Sequence, residues 1–299
     1  MIPYFDLHCD TLREAYLSNC NLYASPLHIS LDKVNCFKKY IQITAIWSDC
    51  KLNDHDAFLA YGKILSYAKN QGLSFAKDFD SLERDHFVLS IEDARIIEND
   101  LSRVDNFYND GVKFITLNWS GTNIIGGAWD TDNSLSDFGK KVVLKCFNTG
   151  IIPDVSHSSR STMHEVMELA KNSGKKIVAT HSNSHFVHPH GRNLTDEEFS
   201  FFVDAESIVG ISLCPSHIAK GEPGISDIMN HIYHYLSLGG INTICMGCDF
   251  DGISSLPRGI TGISDIYKIY DEINALFGEK TAKKIFFENA YDFMRKNLI

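Results

Sequence analysis

IIPDVSHSSRSTMHEVMELAKNSGKKIVATH, residues 151–181, holds two short apolar runs, each ending in a histidine, on either side of a stretch with helical spacing. The runs Ile151–His157 and Lys176–His181 read as strands, because short apolar segments bounded by polar turns suit a sheet covered on both faces. Between them Thr162-Met-His-Glu165 has the form of a capping box, Met163, Val166, Met167 and Ala170 recur at helical spacing, and Gly174 supplies the stop. Strand, helix, strand is the unit from which parallel sheets are built.

The same alternation runs outward in both directions. Further strand-like runs lie at Tyr4–His8, Tyr40–Trp47, Phe87–Glu92, Phe114–Trp119, Ser207–Cys214 and Thr243–Phe250, which makes eight in all. A second box, Thr195-Asp-Glu-Glu198, opens toward Phe199, Phe202 and Val203, and a helical run from Asp227 to Leu238 stops at Gly239-Gly240. Eight such units predict the α/β class and closure into a (β/α)8 barrel of the TIM type, in preference to an open doubly wound sheet. A chain of 299 residues holds one such barrel, so a single domain over residues 1–299 is expected.

The net charge of -10 and the lack of any dense Lys/Arg block exclude a nucleic-acid surface, since phosphate recognition needs concentrated positive charge. No apolar run approaches the ~20 residues that span a bilayer. The first segment, Met1 to Asp10, carries candidate ligands instead of a basic and then apolar leader, so a soluble, cytoplasmic protein without a membrane partner is expected. The sequons at Asn118 and Asn193 then carry no weight. Eight scattered cysteines read as buried thiols, and Cys245-Met-Gly-Cys248 lacks the second pair that a zinc site requires.

Chemistry gathers where strands end. In Asp6-Leu-His-Cys-Asp10, His8 and Asp10 are two apart on an extended segment and share a face. Glu92 follows Phe87-Val-Leu directly, and a carboxylate with two oxygens can bridge two ions. His157 and His181 each close an apolar run. Imidazole and carboxylate without thiolate favour zinc, with manganese, cobalt or iron as substitutes. Asp249 and Asp251 share a face after the last strand run; Asp249 is the candidate for proton transfer, while Asp251 shapes the turn before Gly252. The loop after His181 brings His185, His188 and His190, read as solvated or supporting residues, and Arg192, a candidate carboxylate clamp.

Taken in order, Asp-x-His-x-Asp, Ile-Glu, Asp-x-x-His, Thr-His-Ser, Gly-Arg-Asn and Gly-x-Asp-Phe-Asp-Gly resemble the membrane dipeptidase (renal dipeptidase) family of metallopeptidases nearly end to end. The resemblance implies a zinc-dependent (β/α)8 barrel of the amidohydrolase-like type. It implies that His8 and Asp10 bind one zinc, that His157 and His181 bind the other, and that Glu92 bridges both. It also makes Asp249 the acid/base residue and Arg192 the holder of the dipeptide's C-terminal carboxylate. One departure stands out: members of the mammalian type carry a histidine after the fourth strand, to polarise the scissile carbonyl, where this chain reads Thr116-Leu-Asn-Trp119. Trp119, with a donor-only indole, and Asn118 are the candidates for substrate contact there.

The expected activity is hydrolysis of dipeptides, with those ending in a D-residue left open, by a hydroxide shared between two divalent ions about 3.5–4 Å apart. A small dipeptide is the expected partner, and a homodimer is open. The alternatives are a metal-dependent phosphoesterase, against which Asp10 speaks, another amidohydrolase, and a metal-binding barrel without catalysis.

Overall fold

The computed structural model describes residues 1–298, with the backbone alone at positions 84 and 85. The chain forms two compact units, one made of Met1–Thr44 with Thr180–Lys296, the other chiefly of Ala45–Ala179.

In the first unit, β1 (Pro3–Asp6) pairs in parallel with β2 (Lys39–Trp47), Tyr4 standing opposite Tyr40 and Asp6 opposite Gln42. On its other side β1 meets β7 (Ile244–Met246) at Asp6 and Met246, and β7 continues to β6 (Val209–Ile211). Nearly every residue of these strands is buried, as the apolar runs require of a sheet covered on both faces. Tyr4 packs against Phe37 and Phe286 at centroid separations of 5.2 and 5.3 Å, which fixes the start of the first strand in the core. The helix Ile225–Ser237 buries Ile228, Met229, Ile232 and Tyr235, and Tyr235 stacks on Phe199 of the helix Asp196–Asp204. That second helix opens with the expected box: Glu198 N–H donates to Thr195 Oγ1, and Thr195 N–H to Glu198 Oε2.

In the second unit, β3 (Phe87–Glu92), β4 (Val112–Thr116) and β5 (Ile152–Asp154) are parallel, with Glu92 opposite Thr116 and Thr116 opposite Asp154. The helix after β5 differs from expectation. It begins at Arg160, and its cap is Ser159, whose Oγ accepts the Thr162 N–H at 3.0 Å. Thr162 is instead buried in the first turn, its hydroxyl accepting from Gly127 N–H and donating to the Asn133 carbonyl, so a loop contact takes the group that the box would have used. Gly174, at φ 61, ends this helix as expected.

Seven of the eight predicted runs are strands, five of them shorter than read, while Phe87–Glu92 keeps its bounds and β2 begins one residue earlier. Lys176–His181 is not: only Val178 exchanges main-chain bonds with its neighbour, to Pro153 and Val155. Further along, a Cβ at Gly210 or Gly247 would lie 1.9 or 1.8 Å from the Thr180 carbonyl oxygen. The backbone at Thr180 therefore sits where those side chains would be, out of the sheet plane, and cannot continue a ladder. Among the described residues no helix is long and apolar enough to cross a membrane.

Candidate metal centre

The ligand candidates of the first unit converge. His8, two residues beyond β1, is held by Asp6, whose Oδ1 accepts the His8 N–H at 3.0 Å and the Cys248 N–H at 3.1 Å. Tyr4 donates its hydroxyl to the other oxygen at 2.5 Å. One buried carboxylate thus sets the backbone beneath both His8 and Asp249. Asp10 stands at the cap position of the helix Thr11–Leu17, yet its side chain does not cap it; Oδ2 lies 3.5 Å from His8 Nε2. The rings of His8 and His181 approach to 4.0 Å, and His8 Nε2 is 3.9 Å from Asp249 Oδ1. His8, His181 and Asp249 each offer a ligand atom within 4.8 Å of the others, and all three are buried.

Two crowded imidazoles with carboxylates beside them, out of water, form a donor set that suits a divalent cation, whose charge would neutralise the buried carboxylates. The approach depends on glycine. A Cβ on Gly252 would stand 2.2 Å from Asp10 Oδ2 and 2.5 Å from Asp249 Oδ1, so close approach, more than the turn read from sequence, requires this residue. Asp249 itself lies at φ 63 and Asp251 at φ 65, left-handed conformations that cost energy unless the surroundings impose them. Asp251 does shape the turn. Its carboxylate accepts from Thr11 Oγ1 at 2.6 Å and from His28 N–H at 2.7 Å, tying the segment after β7 to the loop before β2. Arg192 is 4% exposed and directs Nη2 toward the His181 carbonyl at 3.4 Å.

The second unit holds a matching pair. Glu92, the last residue of β3, places Oε1 3.0 Å from His157 Nε2. His157 is at φ 68, and its Nδ1 lies 2.9 Å from the Trp119 carbonyl. Asp154 repeats the role of Asp6, accepting from Ser156 N–H at 2.9 Å and from Thr116 Oγ1 at 2.7 Å. Trp119 packs against Trp47 and His157, with centroids 4.7 and 6.1 Å away, and is half-buried. Asn118 is buried and braces the loop: Nδ2 donates to Asn123 Oδ1 and to the Gly126 carbonyl, and Oδ1 accepts from Ser158. Asn118, the other residue read for substrate contact, is thus committed to the loop.

Asp93, unremarked in the sequence, sits beside Glu92 at φ 74, and burial pushes its carboxyl up to about 6 against the pull of Asn123 and Arg95. Four of the eight thiols, Cys9, Cys146, Cys245 and Cys248, are buried as expected. Burial pushes Cys9 and Cys146 up to about 12, which keeps them unreactive. Cys36 and Cys50 are exposed, against expectation: Cys36 ends the short 3-10 helix Lys33–Cys36 and Cys50 lies in a turn after β2.

Buried imidazole and carboxylate clusters at the ends of parallel strands define the class as an α/β protein with side-chain groups able to hold a metal ion. The membrane dipeptidase family model (peptidase family M19) matches residues 1–297, and the chain belongs to that family. A dipeptidase of Schizosaccharomyces pombe, named as uncharacterized, is 28% identical over 204 residues, which is 62% of this chain and 47% of that protein; the chain spans about half its length. Among solved structures, the metallo peptidase dipeptidase AC superposes with a TM-score of 0.91 at 22% identity, covering 99% of this chain and 98% of that one. A metallo peptidase from Rhodobacter sphaeroides, liganded with a phosphinate mimic of the dipeptide L-Ala-D-Ala, gives 0.89 at 21% identity, covering 99% of both. These likenesses show the fold, the α/β barrel class that the strand-helix alternation predicted.

Proposed function

We propose that this chain is a metal-dependent dipeptidase that holds two divalent ions, most simply zinc, with His8 and Asp10 on one, His157 and His181 on the other, and Glu92 shared. When bound there, the metal pair supplies Lewis acidity at the peptide carbonyl and a water acidic enough to attack near neutral pH. Asp249, beside His8 and His181, would accept a proton from the attacking water and return it to the leaving amine. Arg192 receives the C-terminal carboxylate of the dipeptide, for which guanidinium offers two parallel donors. Trp119 walls the substrate and offers an indole N–H where mammalian-type members have a histidine.

The observation that carries the reading is the buried group His8, His181 and Asp249 in a chain of the membrane dipeptidase family. The Rhodobacter protein's ligand is a reason to include substrates with a C-terminal D-residue. A panel of L,L and L,D dipeptides, assayed before and after chelation alongside metal analysis by mass spectrometry, tests it. Chelation should abolish hydrolysis and zinc restore it. Faster turnover of a generic aryl phosphate than of any dipeptide would assign a phosphoesterase instead. Full metal loading without hydrolysis across the panel would assign a binding barrel.

A further inference from the structure

A cleft of about 720 Å³ opens beside Asp249, lined by His188, Cys214, Ser216, Lys220, Gly252 and Ser254 together with small and apolar neighbours, all from the first unit. Gly252 marks its catalytic end, since a Cβ there would touch the Asp10 and Asp249 carboxylates. Cys214, on its wall, lies within electrostatic range of both Asp249 and Arg192. Although the chain carries a net charge of -10, no carboxylate lines this cleft. Lys220 and His188 are its basic groups, and Lys220 is exposed with no ion pair among the described residues. Glu222, two residues on, is exposed but does not line it.

We propose that this cleft receives the side chain of the dipeptide's C-terminal residue and that Lys220 selects acidic side chains there. The inference rests on the dipeptidase reading and on its two anchors for that residue. Arg192 holds the carboxylate of the C-terminal residue, and Asp249 faces its nitrogen, the leaving amine. Both substituents of that α-carbon are then fixed at the cleft's inner end, and its side chain has this opening to enter. Inside, an ammonium, an imidazole and serine hydroxyls meet a carboxylate with opposite charge and donors, whereas a lysine or arginine side chain would meet like charge.

The test compares kcat/KM for Ala-Glu against Ala-Gln, with L and D forms of the second residue, and with Ala-Ala as the neutral reference. Glutamate and glutamine share shape and differ in charge, so their ratio isolates Lys220. The expected ratio in the unaltered enzyme is about fivefold or more in favour of glutamate, the scale of a partly exposed ion pair. It should shrink toward one in Lys220→Ala, fall below one in Lys220→Glu, and diminish with added salt. Lys220 is exposed, so both variants should fold, which circular dichroism checks. Equal rates on Ala-Glu and Ala-Gln, or a preference that survives Lys220→Ala, would overturn the assignment while leaving the dipeptidase intact. No hydrolysis of any member, Ala-Ala included, would remove both.

Discussion

Glu92 and His157 face each other across 3.0 Å, Oε1 to Nε2, while the other imidazole nitrogen lies 2.9 Å from the Trp119 carbonyl. A carbonyl accepts only, so Nδ1 carries the proton. In the neutral imidazole Nε2 is then a lone pair directed at a carboxylate oxygen, two acceptors in contact. Either a second proton on the ring or a cation between the two resolves the contact, and a ligand histidine oriented through its far nitrogen is the usual arrangement around metals. Removing the metal should therefore lower the melting temperature by several degrees, and zinc should restore it. His157→Ala should cost one equivalent of metal by mass spectrometry, or weaken binding at least tenfold. A melting temperature indifferent to chelator and zinc would argue for the protonated pair.

Gly252 gives a sharper mutational test than any ligand, because it bears no functional group. Alanine there would put a methyl carbon at 2.2 Å from Asp10 Oδ2 and 2.5 Å from Asp249 Oδ1. The carboxylates must shift by about 1 Å to relieve it, a displacement that typically costs on the order of a hundredfold in rate. Gly252→Ala is expected to keep its circular dichroism spectrum while losing about that factor in kcat. Wild-type turnover would mean that neither carboxylate needs its present place.

The metal candidates were legible in the sequence because each follows an apolar run closely, and strand ends are where such folds gather chemistry. What supports them was not. Asp6 lies inside the motif that drew attention to His8, but nothing in a sequence says that its carboxylate turns inward to accept the His8 amide and also that of Cys248, 242 positions away from Asp6. Lys176–His181 has the composition of a strand. Its ladder fails because the Thr180 carbonyl fits over Gly210 and Gly247, a contact between three distant segments. Thr162-x-x-Glu165 matched the form of a cap, but Ser159 lay three residues earlier with the same capacity, and loop contacts decided between them. Local pattern found the elements; partners remote in sequence chose their limits.

Asp6 should therefore matter to function without touching substrate. Replacing it with alanine strands the buried amides of His8 and Cys248 and the Tyr4 hydroxyl, at about 1–3 kcal/mol for each unsatisfied group. Asp6→Ala is expected to lower both melting temperature and metal affinity. Asp6→Asn keeps a carbonyl oxygen for the two amides, so it should recover most of the metal affinity. Equal losses in the two variants would deny the amides their role.

His231 predicts how stability responds to acid. It is fully buried in the helix Ile225–Ser237; Nδ1 accepts the Ser184 N–H at 3.1 Å, and Nε2–H donates to the Ile218 carbonyl at 2.9 Å. It thereby joins the loop that carries Arg192 to the segment leading into the Lys220 cleft. The bond from Ser184 needs the neutral ring, because a protonated Nδ1 cannot accept, while the bond to Ile218 survives protonation. Burial holds the imidazole down at about 4, with His188 and His234 pushing the same way and the Ile218 carbonyl and Asp227 opposing. The unfolded chain, with an ordinary histidine near 6.5, binds the proton first as pH falls, so the contribution is complete above that value and is lost as pH drops from 6.5 toward 4. Between pH 7.5 and 4.5 the loss amounts to about 2.5 kcal/mol. His231→Gln retains an acceptor and a donor but cannot titrate. Urea unfolding at the two pH values should show the unaltered protein losing about that much more stability than the variant; parallel losses would mean that the ring is charged in the folded state or that its burial is relieved in solution.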